Sequence, residues 1–203
     1  MADVQRTVYG VPPQGSQAVK RAGDAVQFQE VLETVEDSAA LVRFVDDSTL
    51  ALGAKSKVVI DAFVFDPAKA EGNAMIRISV GTLRYITGEM PKGKTVIKTP
   101  TAALILRGTD VTVHVHPDGT TDVTVNEGSV DGHNDLTNDD TNVVEGRGAT
   151  FGQGGNTGFN GSTPPTGGNG NDDSGSEPEQ RRGGGSSPSS GHVGPGGTMN
   201  PGI

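Results

Sequence analysis

From Gly23 to about Gly152, apolar and polar residues alternate with a period of two, and Gly, Asp and Pro cut the alternation into short runs. A strand points successive side chains to opposite faces, so this pattern predicts many short β-strands, each with a buried face. Val26 and Phe28 alternate. Ala40, Val42 and Phe44 share a face that Leu50 and Leu52 resume after the Asp46-Asp47-Ser48 break. Val58 and Ile60, then Phe63 and Phe65, form a third stretch; Ala74, Ile76, Ile78 and Val80 form a fourth, ended by Gly81 and followed by Leu83 and Tyr85. Further runs fall at 95–98, 103–106, 111–115, 121–125 and 143–144. Only Pro67 to Glu71 looks helical, for a single turn at most. The prediction is an all-β domain; strands spaced this regularly fit a sandwich and a β-solenoid alike.

Two breaks predict hairpins with a register. In His116-Pro117-Asp118-Gly119-Thr120, Pro117 supplies the fixed φ of a type I turn, Asp118 follows, and Gly119 takes the left-handed position of a three-residue loop. That turn pairs Val111 with Val125, Val113 with Val123 and His114 with Asp122. It places the valines on one face and Thr112, His114, His116 and Thr124 on the other. The same construction at 46–48 pairs Phe44 with Leu50 and Val42 with Leu52, with Asp47 and Ser48 where Gly is more comfortable.

Composition divides the chain. Residues 153–203 hold 16 of the 31 Gly and 6 of the 12 Pro. So few apolar side chains cannot offset the entropy of ordering, and the segment reads as a disordered Gly-rich tail. Residues 1–22, polar with Pro12-Pro13, read as an N-terminal arm, leaving a β-domain over 23–152. A domain of that size can bury a core without staples. With no Cys, disulfide scaffolds, thiol enzymes and Cys-based metal sites are excluded. The net charge of −9, with Lys and Arg dispersed, lacks the positive cluster that nucleic acid requires. No apolar run approaches the ~20 residues of a membrane helix. Residues 1–21 show no apolar core of a secretory signal, and no membrane insertion is expected.

Taken in order, Gly23-Asp24, Leu32-Glu33-Thr34, ALVRFVDDSTLALG (40–53), SKVVIDAFVFD (56–66), ISVGTLRYITG (78–88), TPTAALILRGTDVTV (99–113) and DGTTDVTVNEGSV (118–130) resemble a FecR domain, named for a bacterial iron-uptake regulator. The TPTA…RGTD stretch, with Thr99 and Pro100 at its head, is the most distinctive, followed by the Asp118-Gly119 turn and Glu127-Gly128. The resemblance runs over about residues 23–150. It implies stacked antiparallel hairpins in a periplasmic or secreted domain that acts by contact with a protein or cell-surface component and has no catalytic residues to carry over. The sigma-factor-gripping segment, membrane helix and receptor-contacting end of the iron-uptake regulators have no counterpart in these residues, so a stand-alone module is expected.

The remaining constellations read as structural. In Arg107-Gly108-Thr109-Asp110, Gly108 permits a bulge or close backbone approach, Thr109 or Asp110 can bond local amides, and Arg107 can pair with an internal carboxylate. The His114, His116 and Asp122 group has no third fixed ligand or second shell for zinc or copper. Residues 131–142 (DGHNDLTNDDTN) are rich in oxygen ligands but lack the order of a calcium loop, and read as a polar hairpin loop. No nucleophile elbow, Walker loop or His-Glu-x-x-His is present. The expectation is therefore a non-enzymatic binding, signal-relay or scaffolding module of the bacterial envelope, with no cofactor. The alternatives are a secreted or particle-associated structural β-protein and a calcium-stabilised accessory domain.

Overall fold

In the computed structural model, residues 1–160 can be described, and they form sixteen strands without a helix. The strands are β1 (Asp3–Gln5), β2 (Val8–Val11), β3 (Ala18–Lys20), β4 (Val31–Thr34), β5 (Ala39–Arg43), β6 (Thr49–Leu52), β7 (Lys57–Asp66) and β8 (Glu71–Ile86). The second half holds β9 (Thr95–Lys98), β10 (Ala102–Leu106), β11 (Asp110–Val115), β12 (Thr121–Glu127), β13 (Ser129–Asn134), β14 (Asp140–Val144), β15 (Arg147–Gly152) and β16 (Gly155–Asn160).

β8 organises the fold. Over residues 71–80 it pairs antiparallel with β7 and, over Ala74–Arg77, parallel with β9; over its last residues it pairs with β6 and β11. One strand thus belongs to two ladders. The first runs β1-β5-β6-β8-β11-β12-β15-β16, the second β3-β2-β4-β7-β8-β9-β10-β13-β14. The chain alternates between the ladders, one hairpin at a time, while advancing along the stack. Their apolar faces meet in one core that includes Leu32, Val58, Ile76, Ile97 and Leu104 from one layer and Leu50, Leu83, Val113, Val123 and Phe151 from the other. In section this is a sandwich; along the chain it progresses as a solenoid does, so the two expected descriptions meet in an open, mixed sheet.

Gly81 bends β8 where the sequence pattern had it end. Ala74, Ile76 and Ile78 point inward before the bend, Leu83 and Tyr85 after it, so the buried phase slips by one residue as the strand changes layers. Gly81 has φ +99°, and a Cβ there would lie 2.4 Å from the Ser56 Cα, so only glycine fits. The corner is tied by hydroxyls. Ser56 Oγ accepts from the Thr82 amide at 2.9 Å, and Thr34 Oγ1 accepts from the Ser56 amide at 2.8 Å and donates to the Gly53 carbonyl at 2.6 Å.

Both hairpins form. The 116–120 hairpin has the expected register, Val113 opposite Val123 and His114 opposite Asp122, with Gly119 at φ +89°. The earlier one is shifted by two residues: Val42 faces Leu50 and Ala40 faces Leu52. Its loop is Val45-Asp46-Asp47, closed by Phe44 N–H donating to the Ser48 carbonyl at 2.9 Å. Asp46 Oδ1 accepts from the Ser48 amide (3.0 Å) and hydroxyl (2.5 Å), which fixes Asp47 in the left-handed conformation at φ +61°.

Residues 1–22 contribute β1, β2 and β3, which pair with β5, β4 and β2. A buried ion pair fastens this stretch: Lys20 Nζ lies 2.6 Å from Glu30 Oε1, and Glu30 Oε2 accepts from the Gln27 amide at 2.8 Å. Gly10 makes room for both, since a Cβ there would meet the Glu30 carboxylate at 2.1 Å. At the other end β16 pairs with β15 beyond the expected boundary at Gln153. The rest of the predicted tail, from residue 161, lies outside the described residues.

Candidate interaction surface

Beside the β5–β6 tip the two layers part and leave a groove of about 310 Å³. It is lined chiefly by Val26, Phe28, Phe44, Val45, Ile60 and Phe63. Phe44, from the end of β5, stacks on Phe63 of β7 with centroids 4.3 Å apart and rings 12° from parallel. Behind them Tyr85 is tilted against Phe44 at 6.3 Å and fully buried. Burial raises the Tyr85 phenol above its ordinary value, and its hydroxyl donates to Ser48 Oγ at 2.9 Å. Two of the lining residues are largely exposed, Phe28 at 64% and Val45 at 81%. A chain with only six Phe and two Tyr places three of the Phe on this groove. Phe28 is exposed, and Phe44 and Phe63 are half-buried.

Of the residues singled out from sequence, Asp46 and Asp47 form the β5–β6 turn next to Val45, and the others lie elsewhere, at turns, corners and cross-layer contacts. Thr99 Oγ1 accepts from the Ala102 amide at 2.9 Å and the Thr101 amide at 3.3 Å, so the Thr99-Pro100-Thr101 segment is the turn between β9 and β10. Thr101 Oγ1 lies 2.9 Å from Thr121 Oγ1 and 3.1 Å from the Gly119 carbonyl, and donates across the layers to the Phe151 carbonyl at 3.3 Å. Nearby, Asn134 Nδ2 donates to the Gly152 carbonyl and to Asn156 Oδ1, both at 2.9 Å. Asp118 caps its own turn by accepting from the Thr120 amide at 2.9 Å, which holds its carboxyl below the usual range.

Arg107 to Asp110 forms the corner where the chain leaves β10 for β11. Gly108 has φ +69°, and Gly128, at φ +79°, packs so closely that a Cβ would sit 2.2 Å from the Gly108 carbonyl. Arg107 pairs with Asp131. The Thr109 amide donates to Thr87 Oγ1 at 3.1 Å. Asp110 does not bond local amides: its carboxylate receives both Arg84 Nε (2.8 Å) and Nη2 (2.5 Å) from β8, with Asn126 alongside at 3.3 Å. Arg84 accordingly holds the Asp110 carboxyl below its ordinary range.

The histidine face is half-buried, and β12, flanked by β11 and β15 in the ladder, is buried on both faces over Thr121–Val125. Asp122 binds His116 Nε2 (2.7 Å) and the Thr150 hydroxyl (2.6 Å), while His114 Nδ1 lies 2.7 Å from Thr82 Oγ1. Burial, followed by the nearby His116, lowers the His114 pKa. The acidic stretch from 131 is mostly strand, with Asp131 tied to Arg107 and Asn142, and Asp140 to His133. Among the described residues no cluster of three or more His, Asp or Glu is placed to hold a metal ion, and no helix is long and apolar enough to cross a membrane.

Sequence reasoning read Phe28, Phe44 and Phe63 only as strand positions. The available signal was scarcity: in an aromatic-poor chain, Phe28 and Val45 border polar breaks where folding leaves nothing to cover them.

The described residues form an open stack of hairpins with an apolar groove at one end. The family model described as FecR protein matches residues 30–131, half of the chain, and the chain belongs to that family. Among solved structures it is similar to two crystal structures, at 2.50 and 1.65 Å resolution, of a candidate anti-sigma factor from Parabacteroides distasonis ATCC 8503. The TM-scores are 0.52 and 0.51, at 12% identity over 64% of this chain, a likeness of fold. The chain spans 59% of the length of those proteins. No curated protein matches it.

Proposed function

We propose that the chain is a non-enzymatic regulatory module of the bacterial envelope, periplasmic or secreted, that works by binding another protein at the open side of its sandwich. The observation that carries this is the groove of Phe28, Phe44 and Phe63 in a member of the FecR family. Phe28 and Val45 expose apolar surface there beside the stacked Phe44 and Phe63, while His116, Asp110 and Asp131 are engaged in strand-to-strand pairs. Such a surface supplies affinity through aromatic anchors. The similarity to candidate anti-sigma factors supports signalling over scaffolding as its purpose.

Chemical cross-linking of the full chain in extracts of its source bacterium, followed by mass spectrometry, tests the proposal. The expected result is one stoichiometric partner cross-linked near residues 24–28, 43–47 and 61–69, together with altered expression of a small gene set when the gene is deleted. Recovery of only its own copies, or of an abundant surface protein in a repeating array, would favour a structural role and overturn the regulatory one.

A further inference from the structure

We propose that His114 and His116 bind a divalent transition metal, copper(II) more tightly than zinc, with water completing the coordination. Neither histidine lines the groove, and the proposal does not depend on the protein-binding reading.

Thr82, His114, Asp122 and Thr150 stand in register across β8, β11, β12 and β15. His116, two residues along β11, shares their face, and its ring meets the His114 ring edge to face with centres 4.4 Å apart. Asp122 is buried and uses both carboxylate oxygens, Oδ1 on the Thr150 hydroxyl and Oδ2 on His116 Nε2. An ionised carboxylate only accepts, so the His116 proton sits on Nε2 and the lone pair of the neutral ring on Nδ1. His114 is held by its other nitrogen: Nδ1 lies 2.7 Å from Thr82 Oγ1. With the proton on Nδ1, His114 donates to that hydroxyl and Nε2 carries the lone pair. Neither His116 Nδ1 nor His114 Nε2 has a hydrogen-bond partner among the described residues.

Read along the sequence, this pair had no second shell. The fold supplies one, from three neighbouring strands. A carboxylate or hydroxyl behind an imidazole fixes its tautomer and its orientation and strengthens it as a ligand. Spacing agrees: two imidazoles side by side on one metal, at metal–nitrogen distances of about 2.0–2.1 Å, have ring centres about 4.5–5 Å apart. The two rings already stand at 4.4 Å. Both are half-buried, which leaves one side of the pair open to water. Among the described residues no third imidazole or carboxylate is placed to join them. A set of two nitrogens and water is too open for a structural zinc site, which takes four protein ligands. It suits copper(II), which such donors bind more tightly than zinc.

The test uses the full chain, titrated in a calorimeter with copper(II) glycinate and separately with zinc chloride, with electron paramagnetic resonance of the copper-loaded protein. The expected result is one copper per chain, taken from glycinate, with imidazole nitrogen in its equatorial plane and zinc bound more weakly. His114→Gln and His116→Gln, at half-buried positions, should each weaken copper binding at least about tenfold, and Asp122→Asn, which acts through His116, about tenfold. Urea unfolding of each variant separates loss of the site from loss of the fold. His133→Gln combined with His192→Gln removes the other two histidines of the chain and should leave the affinity unchanged.

Failure to take copper from glycinate would overturn the proposal. So would an unchanged affinity in a folded His114→Gln or His116→Gln variant, or loss of copper when only His133 and His192 are replaced. The same affinity in Asp122→Asn would remove the positioning role of the carboxylate and with it the argument that the fold prepares the pair.

Discussion

The gap between the layers is closed in two ways. At the β9–β10 and β11–β12 tips, Thr99, Thr101 and Thr121 bond to one another and to the Gly119 and Phe151 carbonyls, and Asn134 ties β13 to residues 152–156. Beside the β5–β6 tip, Phe28, Phe44 and Phe63 lie in the gap with part of their surface in water. Hydroxyl and amide groups with fixed partners specify one geometry and leave little to offer a ligand, because a buried polar atom that loses its partner is costly. Aromatic rings covered on one side cost the fold little and keep apolar area in reserve for association. One end of the hairpins is closed by polar groups with fixed partners, the other by rings left partly in water.

The largest expected effect lies on the sealed side. Phe151→Ala removes a fully buried ring that packs where a Gly132 Cβ would otherwise meet it at 2.3 Å. It should cost about 3–5 kcal/mol in urea unfolding, well above Phe63→Ala on the open side. Equal costs would break the contrast. Thr101→Val keeps the shape but removes the hydroxyl from its three partners, and should cost about 1–3 kcal/mol by the same measurement. Asp110→Asn acts through pH. Arg84 lowers the folded Asp110 pKa, so the contribution is present above the usual carboxylate value and lost as pH falls through the folded one. Because Arg84 is half exposed, the substitution should cost below ~1 kcal/mol at neutral pH and flatten the acid limb of the stability profile. Phe28→Ser should change thermal stability least, within about 0.5 kcal/mol; a greater loss would show that the open side also supports the fold.

Much of this was legible beforehand, for a physical reason. Period-two alternation identified the all-β class, and the Pro117-Asp118-Gly119 turn gave the pairing of β11 with β12 to the residue, because turn chemistry and face pattern demanded the same register. At 45–47 no glycine marked the left-handed position, and Asp47 occupies it only because Asp46 folds back onto Ser48, so the reading slipped by two. Gly81 looked like a terminator because local pattern cannot distinguish a strand that stops from one that turns over. The partner of Asp110 was hidden for a related reason: Arg84 is 26 residues away and is brought opposite only by the β8–β11 ladder. The groove was least legible of all. Exposure is a property of what the rest of the chain fails to cover, and no single window of sequence records it.

β8 is paired on both flanks within both layers, and hairpins are laid down outward from it towards both ends of the stack. The domain can therefore lengthen or shorten at either extremity by whole hairpins, each new one finding a ladder to join. A single residue inserted between Ala74 and Ile78 has no such freedom. It would turn one set of buried side chains to solvent on one flank of Gly81 while the other flank kept its phase. Variation in length among chains built on this plan should accumulate at the outer hairpins, with the spacing around Gly81 held constant.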